Sequence, residues 1–98
     1  MLDQIRVVTF QDGETWVAQC LEVDIAAHAP DLDTLHIRLH MALEAEREES
    51  LNRHGRAFAG IDPAPKRFHE MWDRCAGDYS PRALSHESGG AEKWRVCA

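Results

Sequence analysis

Gln4-Ile5-Arg6-Val7-Val8-Thr9-Phe10-Gln11-Asp12-Gly13-Glu14-Thr15-Trp16-Val17-Ala18-Gln19-Cys20 is the stretch from which the fold follows. Residues 4–10 are rich in β-branched and aromatic types, and so are residues 15–20. Asp12-Gly13 lies between them, and Asp-Gly between two such runs is a strong hairpin signal. A third strand is expected over Val23–His28, with Val23, Ile25 and Ala27 on one face. Leu21-Glu22 holds neither Gly nor Pro, so strands two and three are expected to join through a bulge or bend.

Pro30-Asp31 ends the run of strands. Asp31 is placed as a helix N-cap, and Asp33 suits the first turn. The helix is expected from Leu32 to Asn52 or Arg53, with Gly55 as its stop. At about 100° per residue, Leu32, Leu35, Leu39, Ala42 and Leu43 form the stripe that meets the sheet. Ile37, Met41 and Ala45 fall on the other side. After a loop punctuated by Gly60, Pro63 and Pro65, the spacing of Phe68, Met71, Trp72 and Cys75 predicts a second helix, ended by Gly77. Residues 78–91 are Ser/Gly-rich and read as mobile. Residues 94–98 form either an added strand or a disordered end. The expectation is an α+β fold with one domain over 1–76 and a tail over 77–98. Its sheet is three-stranded and antiparallel, with a long helix on one face and a second, short helix following.

The 98 residues are 44% hydrophobic and 29% charged, a composition that supports one globular core. No apolar run is long enough to cross a membrane. Six acids and one arginine leave residues 1–31 at −5, and the whole chain is at −6. Tight nucleic-acid binding needs a row of cations, which the acidic first half does not supply. An acidic face suits a basic protein instead. Cys20, Cys75 and Cys97 are widely spaced, with no Cys-x-x-Cys, and no secretory signal opens the chain. A cytoplasmic location with three free thiols is therefore expected.

Candidate chemistry is sparse. His36 and His40 stand at i, i+4, one face of a helix, as a zinc site needs. The run His36-Ile37-Arg38-Leu39-His40 lacks the glutamate of a zincin helix, and a third ligand must come from elsewhere. Cys20 as a nucleophile lies in a predicted apolar strand, where thiols are commonly inert. His28 as a general base has no orienting partner. Trp16, Trp72 and Trp94 offer a binding platform or core packing. No catalytic, cofactor-binding or metal-ligating set is assigned.

The strand order β-β-β-α, the run Phe10–Cys20 and the helix end Asn52-Arg53-His54-Gly55 together resemble the HicB-like antitoxin family. The segment Ile61-Asp62-Pro63-Ala64-Pro65 is similar to the family's proline-containing segment after the long helix. The resemblance covers residues 5–65. It implies a partial ribonuclease-H-like fold and a non-enzymatic antitoxin that covers a small, basic, RNA-cleaving HicA-like toxin. Residues 66–98 show no ribbon-helix-helix or helix-turn-helix pattern, so a stand-alone member without a DNA-binding domain is implied. The competing reading is a small metal-binding protein or enzyme using His36 and His40.

Self-association follows from the distribution of apolar residues. Val7 beside Val8 and Trp16 beside Val17 give the strands two apolar faces, and one helix covers only one. The Phe68–Cys75 helix is expected over the Ile37–Met41 side, leaving a sheet face or an edge strand for a second copy, unless the tail through Trp94 folds back over it. Ile37, Met41, Phe68, Met71 and Trp72 are the candidate contact residues for a homo-oligomer or a partner. Duplex DNA and RNA are expected to show no mobility shift at physiological salt. A clear, salt-sensitive shift would return nucleic acid to the list of partners.

Overall fold

The computed structural model describes residues 4–75, 78–79 and 92–97. Strand β1 (Ile5–Asp12) turns at Gly13-Glu14 into β2 (Thr15–Cys20), with Asp12 opposite Thr15. Gly13 is the first of the two turn residues and has φ 65°, where the tight hairpin turns want a residue free of Cβ crowding. Strand β3 (Ala26–Ala29) pairs antiparallel with β2.

The third strand is shorter than the sequence suggests. Leu21–Ile25 form a bend whose backbone is tied elsewhere: Cys20 N–H donates to Ile25 O, Asp24 N–H to Asp62 O, and Ala64 N–H to Leu21 O. Glu22 receives both the backbone N–H of Arg6 (2.7 Å) and its guanidinium Nε (2.6 Å). Val23 and Ile25, expected to share a strand face with Ala27, are buried from the bend instead.

Helix α1 (Leu32–His54) begins on Asp31, whose carboxylate accepts from Thr34 N–H at 2.8 Å. It ends where Gly55, at φ 73°, donates its N–H to Leu51 O. The left-handed glycine and the acidic cap are the signals read from sequence. Leu35, Leu39 and Leu43 are buried against the sheet, with Leu32 and Ala42 beside them. Helix α2 (Lys66–Arg74) follows Pro65 and stops at Cys75, two residues before the expected Gly77.

The sheet departs from a three-stranded antiparallel meander. Two further strands, β4 (Asp78–Tyr79) and β5 (Glu92–Cys97), make it five-stranded and mixed, in the order β3-β2-β1-β5-β4. β5 runs parallel to β1, with Val7 opposite Trp94 and Phe10 opposite Cys97. A hairpin cannot make a parallel pair; the intervening helices supply the crossover. Of the two alternatives for the chain's end, Glu92–Cys97 takes the strand. The segment expected to be mobile falls largely outside the described residues.

The helices lie on opposite faces of the sheet. On the α1 face, Ile5, Val7, Ala18, Cys20, Ala29 and Trp94 meet the leucines of α1. On the other face, Val8 and Leu21 meet Ala64, Phe68 and Trp72. The expected placement of α2 over Ile37 and Met41 is therefore corrected. Its Phe68 stacks on Phe10 of β1, with ring centroids 6.1 Å apart. Both faces of β1 need cover, and α2 carries the apolar residues that supply it within the chain.

Leu39→Ala removes a fully buried side chain and is expected to lower unfolding free energy by about 2–5 kcal/mol. Asp31→Ala removes the cap alone and is expected to cost about 1 kcal/mol. Urea titrations check both; similar losses from the two would contradict α1 as the main lid of the core.

Candidate partner-docking surface

Successive positions 37, 41, 44, 48 and 51 of an α-helix advance along one side. On α1 they place Ile37, Met41, Glu44, Glu48 and Leu51 in one row, opposite the leucines that meet the sheet. Ile37 is 50% exposed, Met41 64% and Leu51 44%. Glu44 and Glu48 within the row, and Glu46 and Glu49 on other sides of the helix, are all exposed. Arg47 pairs with Glu44 at 3.4 Å and Arg53 with Glu49 at 2.6 Å. Among the described residues Glu46 and Glu48 are in no ion pair, so the lower half of the helix presents net negative charge.

The expected contact residues divide into two sets with the sheet between them. Ile37 and Met41 share the outer face of α1. Phe68 and Trp72 are buried under the opposite face, and Met71 packs beside them. Trp72 is approached by two cations: the Arg95 guanidinium lies 4.2 Å from its ring centroid and that of Arg6 5.8 Å. Arg95 also donates to Trp72 O at 2.9 Å, closing the carbonyl end of α2. Leu51 was not singled out from the sequence, although its distance from Ile37, fourteen residues or nearly four helical turns, is the signal that finds it.

The two histidines of the metal reading are in different surroundings. His36 is 2% exposed and its ring meets that of Trp94 edge-on at 4.5 Å. His40 is half-buried on the flank of α1 that faces Glu92 of β5. Among the described residues, no group of three or more His, Cys, Asp or Glu side chains is placed to hold a metal ion. Cys20 is fully buried, and its burial, with Glu92 and Glu22 nearby, pushes the thiol far up, which leaves it an unreactive core group. Trp16 and Trp94 pack on the α1 side and Trp72 on the other, so the tryptophans form no common platform. His28 is exposed on the edge strand, where its carbonyl accepts from Arg38 at 2.9 Å. This contact covers part of an edge that would otherwise offer unpaired backbone.

The expectation of three free thiols is corrected. Cys75 and Cys97 are joined by a disulfide, while Cys20 is free. Twenty-two residues separate the pair in sequence, and only the parallel placement of β5 beside β1 brings Cys97 to the end of α2. No described helix is long and apolar enough to cross a membrane. Comparison with protein-family models, curated proteins and solved structures finds no match to this chain. Fold and surface define a three-layer α+β domain with an acidic, partly apolar helix face turned outward.

Burial lowers the His36 pKa from 6.5, with Asp33 opposing. Burial raises that of Glu92 from 4.5, with His40 opposing and Glu44 adding to it. A histidine lowered in the folded state contributes stability that is present above its unfolded value and lost as pH falls. A glutamate raised in the folded state contributes stability that is present below 4.5 and lost as pH rises through its folded value. The His36 contribution to folding stability is therefore expected to decline as pH drops below 6.5, while that of Glu92 grows. Glu92→Gln is expected to be more stable than wild type at neutral pH, with the gain shrinking toward pH 4.5. Urea midpoints across this range check both signs; a Gln variant less stable at neutral pH would contradict the second.

Proposed function

We propose that the chain is a protein-binding module of HicB-like type, whose outer α1 face covers a small, basic, RNA-cleaving protein of the HicA type. The observation that carries this reading is the row Ile37, Met41 and Leu51 standing exposed in line with Glu44 and Glu48. Apolar side chains at the centre of such a face supply buried contact area. The carboxylates standing between them attract a surface rich in lysine and arginine and speed the encounter. The net charge of −6 acts in the same direction at longer range. The long helix against a small sheet supports this reading, while α2 on the second face goes beyond the fold that the family resemblance implies. Action in the cytoplasm belongs to the same reading.

In the absence of a partner, the exposed row brings copies of the chain together. The need for a second copy over the open sheet face disappears, since α2 covers that face. Self-association is thus assigned to α1.

Affinity purification with a co-expressed HicA-type toxin tests the reading. Wild type is expected to form a stable complex. Ile37→Asp with Met41→Asp is expected to weaken it by about a hundredfold or more, since each central contact is worth at least ~1.4 kcal/mol. Both positions face solvent, so circular dichroism is expected to be unchanged. Failure to capture a toxin removes the antitoxin reading; capture with unaltered affinity in the variant moves the interface away from α1. Light scattering at micromolar concentration is expected to give a mass above one chain, falling to one chain in the variant. A wild-type mass of one chain, constant on concentrating, removes the self-association.

A further inference from the structure

We infer that the Cys75–Cys97 disulfide is a redox-operated latch that holds α2 over the second face of the sheet. Cys75 is the residue on which α2 ends, and Cys97 is the last residue of β5. Their Cα atoms are 5.3 Å apart, within the ordinary span of a disulfide. Both residues are partly exposed, so a reductant reaches the bond from solvent.

What the bond restrains is the weakest element of the fold. α2 is nine residues long, too short to persist as a helix without its packing. Its N-cap, Pro65, makes no side-chain hydrogen bond, and its first turn has no acidic residue. α1, by contrast, is 23 residues long and capped at both ends. Phe68 and Trp72 hold α2 to Val8 and Leu21, and the N–H of Ala64 ties its approach to Leu21 O. At its other end, among the described residues, stand the disulfide, the Arg95 contacts to Trp72 O and Cys75 O, and the pairing of β4 with β5 that begins three residues on, at Asp78. Release of this end exposes Val8, Leu21 and Phe10, an apolar surface on the side of the sheet remote from the α1 docking row. The latch thus acts independently of the proposed toxin contact.

The exchange step is balanced by an external dithiol, such as dithiothreitol or a thioredoxin-type protein. A reductant thiolate attacks one sulfur and the Cys75–Cys97 bond breaks. The second reductant thiol then displaces the mixed disulfide. Two electrons and two protons pass to Cys75 and Cys97, and the reductant leaves as its own disulfide. A disulfide oxidant such as oxidised glutathione reverses the step. Cys20 takes no part, since it is buried on the α1 side of the sheet.

The experiment uses the full chain, oxidised and after dithiothreitol. Thiol counting in denaturant is expected to give one reactive thiol before reduction and three after; three before reduction would show that the bond does not form. Hydrogen exchange is then followed at the amides of Phe68–Cys75 and of Leu35–Leu43. Closing a loop of this length shifts an opening equilibrium by roughly a hundredfold. Reduction is expected to speed exchange in α2 by about that factor while α1 changes little. Equal acceleration in both helices, or none in α2, would overturn the latch. Cys75→Ser with Cys97→Ser is expected to match the reduced protein and to ignore dithiothreitol. If that variant does not fold, the reduction series on the unaltered chain still decides.

Discussion

Val7 and Val8 are adjacent in the chain, point to opposite sides of the sheet, and are both fully shielded from solvent. A strand buried on both faces cannot sit at an edge or on a single-helix surface. Every larger feature answers that requirement. β2 and β5 flank β1 on its two sides, α1 covers the Val7 face and α2 covers the Val8 face. Arg6 and Glu22 close the start of the strand, where their paired charges stay partly hydrated.

Packing of the second face has a consequence for surface chemistry. Phe68 and Trp72 are used within the chain, so the apolar residues left for a partner are those of α1. The sheet needs one stripe of α1, and 23 residues give that helix a second side. Ile37, Met41 and Leu51 occupy that side among carboxylates. A face of this kind stays soluble through its charge and keeps apolar contact area for a complementary surface. The same economy explains the edge strand: β3 is four residues long, mostly alanine, with Arg38 against one of its carbonyls. A short edge engaged by a charged side chain resists strand addition by other chains.

The two ends of α2 rest on different physics. Its start is fixed by proline geometry and a backbone hydrogen bond; its end is fixed by a guanidinium and a covalent bond. Arg95 serves two roles there, lying over the Trp72 ring and donating to the carbonyls of Trp72 and Cys75. A small domain has little apolar area to spare for a third layer, and a cross-link in its least supported layer offsets that shortage.

Local chemistry made much of the fold legible in the residues. Asp12-Gly13 marked the hairpin, Asp31 and Gly55 marked the limits of α1, and the spacing of Leu35, Leu39 and Leu43 marked its buried side. These signals act over a few residues, through turn geometry, capping hydrogen bonds and helical periodicity, and they read the same in any context. The exposed pair Ile37 and Met41 was legible for the same reason, as the complement of the buried stripe. Other features depend on contacts between distant segments. The parallel pairing of Glu92–Cys97 with β1 leaves no local trace, because alternation in a short run does not name its partner. That one pairing buries His36 against Trp94, sends α2 to the far face, and brings Cys75 to Cys97. Periodicity states which side of an element is buried; the neighbour that buries it is set by the three-dimensional arrangement, where chain separation carries no weight.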